Sequence, residues 1–363
     1  MTLAIFLIIA VILAGIQTAV PFLVKRSVIF GITVPEKHIK DEKLSSYKKK
    51  YALLVSLLSM IALVGYTFWV LSSHVAEGQT VLIGTIIQFA IILFSFTLYF
   101  YFHGKTLQLK KTKNWGENTT QVQIADLSAR AKDEMLPWYV FLVPMLITVG
   151  VIGYTIAQYD LLPDQIPTHW GINGEPDAFT EKTLASAISS PLTMFVMQAM
   201  FLAIIVSTKK SGIKLSATAT NASRLRQLTL RKYTSWFMFL TTILLTGMFS
   251  FFQLRTIHPD IVDGTIVMAI PILFLVVTLA STIVFAVKVG RSDKMDVGET
   301  NAGIRDYDDD SHWVGGLFYV NRQDPSIFVE KRFGVGWTLN FGNPIGYFII
   351  LVPLALILLF SFL

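Results

Sequence analysis

Residues 2–24 read TLAIFLIIAVILAGIQTAVPFLV, and Lys25 and Arg26 follow at once. A bilayer hydrocarbon core of roughly 30 Å is crossed by about 20 apolar residues in a helix. Seven further windows meet that requirement, at 51–71, 80–102, 137–157, 189–207, 234–254, 265–287 and 344–363, and none of the eight contains Asp, Glu, Lys or Arg. The reading is an all-α polytopic membrane protein of about eight transmembrane helices. Pro144, Pro271 and Pro353 fall inside windows, where neighbouring groups can satisfy the carbonyls that a proline kink frees. The first run lacks a positive n-region and is longer than the usual h-region of a signal peptide, so it reads as a retained helix with its amino terminus outside.

Lys and Arg in short loops stay cytoplasmic during insertion. The segments 25–50, 103–136, 207–232 and 288–343 hold eight, six, seven and seven of them, which is 28 of the 30 in the chain. The alternate loops hold only Lys182 and Arg255. Alternation over eight spans therefore places both termini outside a cell (plasma) membrane. Sixteen of the 24 acidic residues share the basic segments, so these are mixed-charge loops beside lipid headgroups rather than polybasic switches.

The bulk numbers agree with a membrane class: 53% hydrophobic, 15% charged and a mean hydropathy of +0.59. Soluble domains carry about a quarter charged residues. The net charge of +6 is dispersed between apolar runs, which excludes a nucleic-acid partner, because such binding needs the charge gathered on one face. No cysteine is present, so neither disulfides nor thiolate metal sites arise.

The most informative outer segment is 158–188, containing LPDQIPTHWGINGEPDAF at 162–179. Pro163 and Pro167 each fix φ and bias the preceding residue to extended geometry. Asn173–Gly174 is a tight-turn signal. A shaped extracytoplasmic loop is expected, presenting Asp164, His169, Trp170, Asn173, Glu175 and Asp177 as candidate ligand- or partner-binding residues. The loop resembles the signature of an uncharacterised bacterial membrane domain that also forms the front part of SdpI-type proteins, through Pro163, Ile166, Pro167, His169, Trp170, Gly174 and Asp177. That resemblance implies a membrane-embedded receptor or immunity factor, with a secreted peptide or toxin as the outer partner and a transcriptional regulator as the inner one. A later motif of SdpI-type proteins is echoed only partly, by Gly334–Val335–Gly336–Trp337–Thr338–Leu339.

Residues 311–343 read as a second organised piece, a small β-hairpin-like cytoplasmic module. Trp313–Val320 and Ser326–Val329 are β-prone, and Asp324–Pro325 between them signals a turn. Phe328, Arg332 and Trp337 are its candidate docking residues for a regulator, by strand addition. The acidic run Asp308–Asp310 lacks the glycine and distal glutamate of a calcium loop and reads as solvated. Phe30–Glu36 reads as an interfacial turn. The chain thus divides into 1–136, three helices with basic inner loops; 137–207, the signature domain; 208–288, helices six and seven; 289–343, the aromatic-rich module; and 344–363, the last helix.

No catalytic constellation is present. There is neither an HExxH helix nor a GxSxG elbow, and no Gly-Lys-Ser/Thr follows Gly334 and Gly336 to make a phosphate loop. No enzyme activity and no cofactor are expected. Gln17, Gln88, Gln158, Gln198 and Gln253 read as helix–helix hydrogen-bonding groups; a small-solute carrier built on them is the alternative function. His74, His169 and His258, with Asp164, Asp177, Asp260 or Asp263, could assemble a divalent metal site. His169 and Asp177 lead that set, which would make a metal-dependent membrane-embedded enzyme the weaker alternative.

Overall fold

A computed structural model describes residues 2–73, 75–115, 120–122, 124–125, 131–171, 175–261, 264–292 and 304–362. Eight helices dominate the described residues: α1 (Thr2–Leu23), α2 (Glu42–Ser72), α3 (Glu77–Thr112), α4 (Leu142–Ala157), α5 (Leu184–Lys210), α6 (Thr220–Ile257), α7 (Gly264–Arg291) and α8 (Pro344–Phe360). The first seven, α4 with its leading 3-10 turn from Trp138, are long and apolar enough to cross a membrane. The eighth is as apolar but only 17 residues long. Leucine and phenylalanine side chains such as Leu93, Phe89, Leu146, Phe348 and Leu351 stand exposed along these helices. A soluble protein rarely tolerates apolar belts of that extent; hydrocarbon covers them in a multi-pass membrane fold.

Several helices outrun their apolar windows, and the longest extensions, of α2, α3 and α6, run toward the basic segments. Helix α2 begins at Glu42, capped by the Asp41 carboxylate, which accepts from the Lys43 backbone at 2.9 Å. Helix α6 begins at Thr220 rather than near 234. The windows missed these turns because they are amphipathic: hydropathy sees their charges, whereas the backbone ladder continues as long as one face is packed.

Helices α1, α2 and α3 pack on one another, as do α4, α5 and α6; α7 bridges the groups by contacting α6 and α1, and α8 lies against α5. The connections alternate between two ends. One, the basic end, gathers the segments after α1, α3, α5 and α7. The other, the hairpin end, carries the α2–α3, α4–α5 and α6–α7 links, and there Thr2 donates to the Glu77 carboxylate.

At the hairpin end, β5 (Gln165–Trp170) pairs antiparallel with β6 (Pro176–Glu181). At the basic end small two-stranded sheets interlock: β1 (Val28–Ile29) with β2 (Ile32–Thr33), β3 (Thr120–Val122) with β8 (Ile304–Asp306), and β4 (Ile124–Ala125) with β7 (Lys214–Leu215). The expected module at 311–343 forms, but as two hairpins rather than one across Asp324–Pro325. Strand β9 (Trp313–Val314) pairs with β10 (Phe318–Tyr319), and β11 (Phe328–Glu330) with β12 (Trp337–Leu339). The physical reason lies in the glycines. Gly315 and Gly316 adopt φ of 58° and 71°, the two positive values that reverse a chain tightly. Asp324 instead accepts from the Ser326 backbone at 2.9 Å, a local turn that joins the hairpins without closing either.

Phe30–Glu36 is more than an interfacial turn. Ile29, Phe30 and Val34 are buried with Tyr51, Tyr99 and Phe102 of α2 and α3 in the largest core of the basic end. A Cβ on Gly31 would lie 2.7 Å from the Gly316 Cα, so glycine is required where the two hairpins cross.

Candidate functional site

The hairpin β5–β6 grows from residues whose geometry the sequence constrains. Its register runs from Gln165 opposite Glu181 to Trp170 opposite Pro176, with irregularities around His169. Such bulges re-aim side chains. Here the His169 Nδ1 is hydrogen-bonded to the Asp177 carboxylate across the strands, and both side chains are more than half exposed. An exposed pair of this kind contributes only about 0–1 kcal/mol to the fold.

The root of the hairpin is fixed. Leu162 and Ile166 are buried against Ala187 of α5 and Ile257 of α6, with Tyr159 beside them. The Lys182 ammonium donates to the Leu162 carbonyl at 2.7 Å and sits 4.9 Å over the Tyr159 ring. Thr183 and Ser186 close a capping box at the start of α5, which ends the strand where the helix begins. Trp170 packs on Phe252 of α6 with ring centroids 4.9 Å apart. One residue on, the Gln253 amide donates to the Ala187 carbonyl and to Thr155 Oγ1 at 3.0 and 3.2 Å, joining α4, α5 and α6 beneath the hairpin.

Helix α6 has 38 residues, about 57 Å at 1.5 Å per residue. Its far end is bound just as firmly. Arg226, 1% exposed, donates to Glu330 of β11 at 2.6 Å, and Gln227 donates to the other oxygen of that carboxylate at 2.5 Å. Arg231, equally buried, meets Asp133 at 2.8 Å and the carbonyls of Thr208 and Lys209 at 3.1 and 2.8 Å. The Trp337 indole donates to Thr234 Oγ1 at 3.0 Å. One rigid element thus touches the hairpin at one end and the module at the other.

Within the module, Arg332 donates to the Gly31 carbonyl at 2.7 Å, to Thr33 Oγ1 at 3.0 Å and to both Asp309 and Asp310, and its guanidinium lies 5.0 Å over the Trp313 ring. Lys110 of α3 reaches Asp308 and Asp310 at 2.5 and 2.7 Å. The acidic run expected to be solvated is therefore the counter-charge of an ion network. Burial pushes the Asp310 carboxyl upward, but Arg332 and Lys110 outweigh it and hold its pKa below the ordinary value. Burial also disfavours the Lys214 ammonium, yet Asp324 and Tyr319 offset it and its pKa lies above the usual one. The fully buried Asn340 amide donates to the carbonyls of Asn321, Asp324 and Ser326 at 2.8–3.1 Å.

The structure brings together some predicted site residues and separates others. His169 and Asp177 pair, Trp170 turns to α6, Glu175 accepts the Gly171 backbone through its carbonyl, and the Asp164 side chain is exposed while its carbonyl accepts the Lys182 backbone at 3.0 Å. Asn173, His74 and Asp263 lie outside the described residues. His258 is hydrogen-bonded to the Tyr154 hydroxyl at 2.8 Å. Among the described residues no three His, Cys, Asp or Glu side chains converge on a metal-sized site. Of the residues expected to dock a regulator, Phe328 and Arg332 are each 5% exposed, and the half-buried Trp337 is turned to α6. They hold the module onto the bundle. Sequence reasoning passed over Arg226, Arg231, Glu330 and Asn340, whose partners lie too far away along the chain for any local pattern to signal them.

A domain of unknown function, DUF1648, matches residues 146–195, and a family of unknown function, DUF5808, matches residues 322–347. The first covers the hairpin with most of α4 and the start of α5; the second covers β11, β12 and the entry into α8. No curated protein and no solved structure matches the chain.

Proposed function

We propose that this chain is a receptor or immunity factor of the cell membrane, acting on an extracytoplasmic peptide or toxin and signalling to a cytoplasmic regulator. In this reading it crosses the membrane eight times, α8 included, with both termini and the hairpin outside and the basic end in the cytoplasm. The distribution of Lys and Arg supports that orientation, and the hairpin's likeness to SdpI-type proteins supports the role.

The observation that carries the reading is α6. It packs on Trp170 at one end and on Glu330 and Trp337 at the other, so a shift at the hairpin reaches the module through one packed helix, a two-ended element of the kind coupling requires. His169 and Asp177 recognise the agent at the exposed face. The carrier alternative has weaker support, because Gln198 and Gln253 spend their amides between helices.

Deleting the gene and challenging cells with envelope-active peptides tests the proposal. Sensitivity should rise, and complementation by the His169→Ala, Asp177→Ala double variant should fail although that protein accumulates normally. Unchanged sensitivity together with an unchanged transcriptome would remove it.

A further inference from the structure

Beside the module lies a groove of about 790 Å³ whose lining is almost wholly apolar. Its inner part is formed by Ile16 of α1 and Leu93 of α3, its walls by Phe96 and Phe285, and its mouth by Phe318 and Lys331 of the module. From Ile16 to Leu23, which also lines it, α1 rises about 10 Å. The groove therefore runs from the interior of the apolar belt up to the basic end, along a side where Leu93, Phe100 and Phe318 are exposed.

Lys331 stands at the mouth without a carboxylate partner among the described residues. Its neighbours Glu330 and Arg332 are already committed, to Arg226 and to the Asp309–Asp310 pair. The protein atoms crowding one side of Lys331 lower its pKa by burial alone. The Lys331 side chain is exposed, so its ammonium is open to an anion at the mouth of the groove. Lys288 and Arg291, in the last turn of α7, add positive charge at the same end, and Phe285 lies one turn before Lys288.

We propose that this groove binds an anionic phospholipid of the surrounding bilayer, one acyl chain along Ile16–Leu23 and the phosphate on Lys331. The inference rests on the chain spanning a membrane and is independent of any receptor role. An acyl chain gains little by leaving bulk lipid for an apolar groove, because the two media are alike. Selectivity therefore comes from the headgroup, and one basic residue at the membrane surface gives about a fivefold preference.

The test uses the purified full-length chain in nanodiscs containing phosphatidylglycerol and phosphatidylcholine with matched acyl chains, read by native mass spectrometry. Wild type should retain phosphatidylglycerol about fivefold over phosphatidylcholine. Lys331→Gln should abolish the preference, Lys331→Arg should keep it, and Thr282→Phe, which fills the groove, should lower retention of both lipids. Lys111→Gln removes an exposed charge from the same end and should change nothing. Equal retention of the two lipids by wild type, an unaltered preference in Lys331→Gln, or the same loss in Lys111→Gln would each overturn the assignment.

Discussion

Arg332 donates through Nη1 to the carbonyl of Gly31 at 2.7 Å, across 301 positions of sequence. That bond fastens the hairpin after α1 to the module before α8, and the same guanidinium neutralises Asp309 and Asp310. The basic end is therefore one body built from four separate loops.

Arg332→Ala should be among the most damaging single changes outside the helices. It leaves Asp310 with Lys110 as its remaining cation, leaves Asp309 with no cation among the described residues, and orphans the Gly31 carbonyl. Breaking such a buried pair costs about 3–5 kcal/mol. Thermal unfolding in detergent should show a large drop, whereas His169→Ala, at an exposed side chain, should leave the midpoint close to wild type.

Acid should loosen the same end. The Asp310 and Asp324 carboxyls are held below their ordinary pKa, against burial, by Arg332 with Lys110 and by Lys214 respectively. A carboxyl with a depressed folded pKa contributes stability that is complete above the unfolded value, about 4, and is lost as pH falls from there through the folded value. The melting midpoint should fall steeply below about pH 4, and Asp310→Asn should flatten that dependence while lowering the midpoint at neutral pH.

Gln198→Leu separates a structural glutamine from a transport one. The amide is 1% exposed and donates to Thr148 and Thr246 at 2.8 Å and to the Pro144 carbonyl at 3.1 Å. Interhelical hydrogen bonds in membranes average about 0.6 kcal/mol and reach about 1.7. A loss of stability of about 1–2 kcal/mol with peptide tolerance intact is expected; a folded variant that fails to move a solute which wild-type vesicles take up would favour the carrier.

Orientation is open to direct measurement, since the chain has no cysteine. Cysteine at Gln165, exposed on β5, should react with an impermeant maleimide in intact cells. Cysteine at Lys111, exposed at the end of α3, should react only after permeabilisation. The reverse pattern would invert the assigned topology, and labelling of both in intact cells would contradict the placement of the two ends on opposite sides.

The membrane class, the approximate position of each long helix and the ordered segment between α4 and α5 were all legible along the chain. Bilayer thickness imposes a length on each apolar run, and two prolines constrain the backbone of the loop locally. These are one-dimensional constraints, so one dimension suffices to read them. The pairing of β9 with β10 and of β11 with β12, the buried Arg226 and Arg231, and the use of Asp308–Asp310 as counter-charges were decided only by the tertiary structure. Each depends on which distant loops the packed helices deliver to the same end. A charged residue looks solvated in sequence until the fold removes its water and supplies a partner. Residues 308–310 lie about 200 positions from Lys110 and more than 20 from Arg332, beyond the reach of any local pattern.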